Sequence, residues 1–138
     1  MIGCIILTHG ELGFGLQNTL EGIMGKQEGL SVISNTGLGK EELFSALQKK
    51  ISQEIYDEGV VIFVDMFGTS CWQTAKKVAS GLTEYSTSNL HNKPKIRVIT
   101  GVNLPMLVKF FSLRESISLS EIVPLIQQAG EKGIRAES

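Results

Sequence analysis

Two short apolar runs, at residues 2–7 and 60–64, and two less regular strand-like segments alternate with longer segments whose apolar residues recur at helical spacing. That alternation decides the fold class, because apolar runs separated by amphipathic helices build a mostly parallel sheet covered on both faces. The first run spans residues 2–7 and stops at Thr8-His9-Gly10. Leu12, Leu16, Leu20, Ile23 and Met24 then predict a helix over roughly 11–25, with Gly25 as its stop. Leu30 to Ser34 reads as the second strand. Leu43, Phe44, Leu47, Ile51 and Ile55 mark one face of a helix from about 40 to 57, whose other face carries Lys49, Lys50 and Glu54 and is solvated. Val60 to Asp65 is the third strand.

Thr69 or Ser70 can cap the next helix, and Ser70 and Gln73 have capping-box spacing. That helix is predicted to run to about Ser80. Gly81 to Lys93 is polar and reads as a surface loop, with His91 exposed within it. Lys95 to Thr100 is the fourth strand, and Lys93, Lys95 and Arg97 are its solvated approach. Asn103 can cap a helix that accepts Pro105 in its first turn. A last helix is predicted from Ser118 to Gln128, with Pro124 distorting it locally. Residues 132–136 read as a short terminal strand. The expected architecture is a three-layer α/β/α fold with strand order 2-1-3-4, formed by residues 1–138 as one domain.

Composition narrows the function classes. The net charge of −1 gives no bulk positive field for nucleic acid or an anionic membrane. No apolar stretch approaches the roughly 20 residues of a membrane span. The N-terminus lacks the pattern of a signal peptide, so a cytoplasmic location is the expectation. Cys4 lies in an apolar run and is expected to be buried and inert. Cys71 lies near a helix start, where a thiol pKa can fall, but no CxxC or metal-spaced cluster accompanies either cysteine.

In a 2-1-3-4 sheet, strands 1 and 3 are adjacent and their outgoing connections leave toward opposite faces. A crevice then opens at their carboxyl ends, where open α/β folds bind ligands. His9 follows the first strand and Asp65 ends the third, so both belong to that crevice although they are distant in sequence. A carboxylate that accepts a proton from one ring nitrogen fixes the tautomer and leaves the other lone pair aimed outward, which describes a nucleophile. The helix start at Gly68-Thr69-Ser70 offers backbone N–H groups and hydroxyls suited to a phosphate or another anion. The plain alternatives are a turn histidine and a helix-approach cap at Asp65. Metal binding by His9 and Asp65 is the weaker reading, since no third ligand is evident.

The sequence resembles the enzyme IIA domain of mannose-type sugar phosphotransferase systems. The matching segments are Ile5-Ile6-Leu7-Thr8-His9-Gly10, Val64-Asp65-Met66-Phe67-Gly68-Thr69-Ser70 and Gly101-Val102-Asn103-Leu104-Pro105-Met106-Leu107, with Leu20-Glu21-Gly22-Ile23-Met24-Gly25 and Gly130-Glu131-Lys132-Gly133-Ile134 also fitting. The resemblance implies that His9 accepts a phosphoryl group from the phosphocarrier HPr and passes it to a histidine of an enzyme IIB partner. It implies that Asp65 orients His9, that Ser70 and the neighbouring amides of Gly68 and Thr69 contact the phosphoryl oxygens, and that no cofactor or metal takes part. A homodimer with an exchanged C-terminal strand, attached to a membrane only indirectly through a permease complex, is also implied.

Three departures stand out. Thr69 replaces a usual second glycine, Cys71 replaces a usual proline, and the loop at Gly81–Lys93 is longer than usual. Trp72, next to these changes, is either a partner contact or plain packing. The altered entry keeps one further reading open, a regulatory phospho-acceptor without sugar transport; a phosphoryl donor for dihydroxyacetone kinase, which shares this domain type, is another.

Overall fold

The computed structural model describes residues 1–53, 56–81 and 94–138. Nine elements follow in the order β1 (Gly3–Thr8), α1 (Leu12–Met24), β2 (Leu30–Ser34), α2 (Lys40–Gln53), β3 (Val60–Val64), α3 (Ser70–Ala79), β4 (Ile96–Thr100), α4 (Leu104–Leu113) and α5 (Leu119–Lys132). The four strands are parallel and ordered β2-β1-β3-β4, as the alternation predicts.

Every residue of β1 and β3 is buried, which explains why their sequences are apolar runs without alternation. Successive side chains still point to opposite faces. Cys4, Ile6, Val61 and Phe63 pack under α1, α4 and α5 in one core that includes Leu20, Leu107, Phe110 and Ile122. Ile5, Leu7, Ile62 and Val64 pack under α2 and α3 with Leu43, Leu47, Ala75 and Val78. The helices leaving β1 and β3 therefore lie on opposite faces of the sheet. The crevice between them opens at the carboxyl ends of the two central strands.

Three boundaries differ from expectation. Helix α2 is described over Lys40–Gln53, and Tyr56, expected within it, is not helical, its carbonyl accepting a turn hydrogen bond from the Gly59 amide at 3.0 Å; Glu54 and Ile55 lie outside the described residues. Helix α5 runs to Lys132, past the expected stop at Gln128. It continues through Pro124, which stands exposed, and the carbonyl that Pro124 leaves unpaired belongs to exposed Ser120. Residues 132–136 form no strand: Lys132 closes α5, Gly133 caps it, and Ile134 onward is exposed and irregular. Beyond Gly81 the polar loop, with His91 and Lys93, lies outside the described residues. Lys95 and Arg97 are exposed, as expected of a solvated strand approach.

The capping chemistry also moved. The reciprocal capping box is at Ser118 and Glu121, whereas α3 has no side-chain cap at all. Asn103 caps α4 by accepting from the Met106 amide, and its own amide donates to the Gly130 carbonyl at 3.1 Å. At α1 the cap comes from the preceding strand: buried Thr8 Oγ1 accepts from the Gly13 amide at 2.8 Å. This bond joins β1 to the helix that follows the site loop. Thr8→Val keeps the volume but leaves the Gly13 N–H unsatisfied, so we expect a loss of about 1–3 kcal/mol in urea unfolding. An unchanged midpoint would mean that Thr8 does not hold this junction.

Candidate functional site

The pairing register sets the site. Leu7 lies opposite Val64, so the chain leaves both strands side by side at His9 and Asp65. The His9 amide donates to Asp65 Oδ2 at 2.9 Å. The His9 ring approaches the same carboxylate through Nδ1, at 2.9 Å from Oδ2 and 3.1 Å from Oδ1. Backbone and side chain of one residue are thus held by one carboxylate. A carboxylate only accepts, so Nδ1 carries a proton, and in the neutral ring Nε2 has the lone pair.

The loop bearing His9 is tied to the end of β2. The Asn35 amide donates to the Thr8 carbonyl at 3.1 Å, and Asn35 Oδ1 accepts from the Gly10 amide at 3.1 Å. Ser34 Oγ donates to the Gly10 carbonyl at 2.7 Å. Gly10 has φ +57°, a left-handed backbone that glycine adopts without strain. Ser34 and Asn35 were not singled out in the sequence. The available signal was an Asn just past a strand that neighbours the histidine strand.

On the other side of the crevice, Gly68 turns with φ +85° and the Thr69 hydroxyl donates to the Met66 carbonyl at 2.8 Å. Thr69 is the N-cap residue of α3 by position, but its hydroxyl closes this turn and leaves the helix N–H groups uncapped. Ser70 is the first helical residue and is exposed. Cys71 follows, and its Sγ lies 4.0 Å from His9 Nε2. The start of α3 therefore reaches the Nε2 edge of the imidazole. Of the expected site residues, His9 and Asp65 are bonded directly. Gly68, Thr69 and Ser70 form the turn and helix start beside them.

Electrostatics separate the two acidic groups. Burial would raise the Asp65 pKa, but hydrogen bonds from the His9 backbone and ring, the charge attraction of His9 and the Met66 amide together hold it below the ordinary 3.8. Asp65 is therefore a carboxylate wherever the protein is folded near neutrality. Burial first, and the Asp65 charge second, push the Cys71 thiol up to about 11. This corrects the expectation that the helix start might lower it: loss of hydration and a neighbouring anion outweigh the helix dipole. Burial likewise pushes the Cys4 thiol up.

Next to Asp65, Met66 and Phe67 are largely solvent-exposed, at 63% and 69%. Phe67 stacks on Trp72 with ring centroids 4.5 Å apart, and the Lys76 ammonium lies 4.9 Å from the Trp72 ring. Trp72 itself packs against the core beneath α2 and α3. It is a support for Phe67, and Phe67 is the ring presented outward.

The fold and the site define an α/β domain that presents a carboxylate-held imidazole at the mouth of a parallel sheet. Residues 3–127 match the family model EIIA-man, described as "PTS system fructose IIA component". The chain belongs to this family of phosphotransferase-system IIA components. It is 29% identical over 137 residues to the mannose-specific EIIAB component of Escherichia coli K12, covering 98% of this chain and 39% of that protein. It is 29% identical over 127 residues to the fructose-specific EIIA component of Bacillus subtilis 168, covering 89% of this chain and 77% of that protein. The chain thus spans well under half of the E. coli relative. The fold matches the phosphotransferase system component EIIA from Streptococcus agalactiae with a TM-score of 0.85 at 23% identity, over 99% of this chain and 97% of that one. No helix among the described residues is long and apolar enough to cross a membrane.

The depressed Asp65 pKa has a signed consequence. A carboxyl whose folded value lies below its unfolded value stabilises the fold above the unfolded value, and that contribution is lost as pH falls through the folded value. The stability difference between the native chain and Asp65→Asn should be full above about pH 5 and shrink on acidification below 3.8. Urea midpoints across that range measure it, and a difference independent of pH would contradict it.

Proposed function

We propose that His9 is a phosphoryl carrier, taking the group from phospho-HPr on Nε2 and passing it to a histidine of enzyme IIB within a sugar phosphotransferase system. The observation that carries this reading is the two-point hold of Asp65 on the His9 amide and Nδ1, which leaves Nε2 as the free nucleophile. In the first step the Nε2 lone pair bonds to phosphorus, and the pair of the breaking P–N bond returns to the donor's imidazole. In the second step the acceptor's nitrogen attacks, and the pair returns to Nε2. Asp65 keeps the proton on Nδ1 and offsets the positive charge that builds on the ring. Such transfer is governed by positioning and charge stabilisation, so no nucleotide or metal is required.

The uncapped amides at the start of α3, with those of Gly68 and Thr69, and the Ser70 hydroxyl would receive the phosphoryl oxygens. Thr69 would contribute its backbone, since its hydroxyl is engaged with Met66. Met66 and Phe67 form an apolar rim suited to protein partners, whose side chains would bring the cations that this site lacks. Residues 1–138 would act as one cytoplasmic domain. A homodimer is part of the same reading: a groove of about 390 Å³ runs along edge strand β4, between Val98, Thr100, Met106 and Gly130, with Ile134 at its border. A C-terminal segment that pairs with no strand among the described residues could add to such an edge in a second copy.

Incubation with phosphoenolpyruvate, enzyme I and HPr should add one acid-labile phosphoryl group, read by intact mass. His9→Ala should take up none, and Asp65→Asn should slow uptake by about 10²-fold with the fold retained. Full labelling of the alanine variant would overturn the assignment of His9. An unchanged rate in the asparagine variant would remove Asp65 from the mechanism.

A further inference from the structure

The contact between Cys71 and His9 is not used by phosphoryl transfer. One ligand-type atom from each of His9, Asp65 and Cys71 lies within 4.8 Å of the others. The three do not converge on one ring nitrogen. Asp65 faces Nδ1, whereas the Cys71 sulfur lies 4.0 Å from Nε2. A carboxylate behind an imidazole whose other nitrogen faces a sulfur is the arrangement of a metal-binding histidine with its supporting carboxylate.

We propose that the His9 Nε2 and Cys71 Sγ atoms form a binding site for a thiophilic divalent cation of the Zn²⁺ type, whose occupancy blocks the phosphoryl-accepting lone pair. With Zn–N near 2.0–2.1 Å and Zn–S near 2.3 Å, a tetrahedral ion sets its nitrogen and sulfur ligands about 3.6 Å apart. The observed 4.0 Å needs a closure of only a few tenths of an ångström. The exposed side of the His9 ring gives the ion its first contact, since that side chain is 40% exposed. The buried sulfur is captured second. As the Zn–S bond forms, the thiol S–H bond breaks and its proton leaves to solvent. The Asp65 carboxylate supplies negative charge beside the site and holds Nδ1–H, so the neutral imidazole keeps Nε2 available. Water or a phosphate-type anion completes the coordination. Imidazole and thiolate favour Zn²⁺ over Mg²⁺ or Ca²⁺, which take oxygen ligands. Sequence reasoning weighs His9 with Asp65 as the ligands; the fold instead turns Asp65 to Nδ1 and brings Cys71 to Nε2 from 62 positions away, so the chain supplies two ligands and solvent or an anion the others.

The test uses the unphosphorylated chain and Co²⁺ as a spectroscopic probe, with Zn²⁺ as competitor. The native chain should bind one Co²⁺ with a thiolate-to-metal charge-transfer band that Zn²⁺ abolishes. Cys71→Ser and Cys71→Ala should lose the band, and Cys4→Ser should keep it. Asp65→Asn should weaken binding by about 10–100-fold while keeping the band. Circular dichroism confirms the fold of each variant. Absence of the band in the native chain, or its persistence in both folded Cys71 variants, would overturn the site. Because no phosphoryl donor is present, this outcome is independent of whether His9 is a carrier. Where it is, Zn²⁺ should suppress phosphoryl uptake by the native chain and EDTA should restore it.

Discussion

Parallel pairing of β1 with β3 at the centre of the sheet is the constraint on which the remaining structure depends. With Leu7 opposite Val64, the chain must leave both strands at one point on the rim. Helix α1 then covers one face and α3 the other, so the described helices leave that point open between them. A shift of one residue in either strand would turn its core side chains to the wrong face. It would also move Asp65 away from the His9 amide. The same burial that makes β1 and β3 featureless apolar runs therefore fixes the geometry of two polar residues just beyond them.

Those two residues are unequal partners. Asp65 is mostly enclosed and receives hydrogen bonds from His9 twice and from the Met66 amide at 2.9 Å. His9 keeps its ring edge open. The carboxylate is thus fixed and charged, and the imidazole is oriented but accessible. A site that works by orientation needs little else from its own chain, and the polar ties from Ser34 and Asn35 keep the loop from sampling other ring positions. The departures at Thr69 and Cys71 leave this pair intact. They change what faces Nε2, placing a neutral thiol beside it.

Much of this was legible in the sequence because it follows from periodicity. The four strands, their order and the juxtaposition of His9 with Asp65 all derive from apolar patterning and the handedness of crossovers. What escaped depended on tertiary packing. Ala129-Gly130 looks like the end of a helix, yet Gly130 is there because a Cβ would lie 2.5 Å from Met106 Cε, and α5 passes straight through it. Ser70 and Gln73 have the spacing of a capping box, but the helix starts at Ser70 with Thr69 in the N-cap position, so the only reciprocal box among the described helices is at Ser118 and Glu121. Cys71 was read from its neighbours in sequence, whereas its thiol is governed by burial and by Asp65 across the crevice. The terminal segment 132–136 reads as a strand in the sequence, but Lys132 belongs to α5 and Ile134 only borders the groove along edge strand β4 without pairing to it.

The central claim is that Asp65 selects which ring nitrogen of His9 is reactive, and the position of the phosphoryl group on the imidazole tests it most directly. Nitrogen and phosphorus NMR of the chain phosphorylated by phospho-HPr should show phosphorus bonded to His9 Nε2, with the proton retained on Nδ1. Phosphorus on Nδ1, or on another residue, would contradict the account.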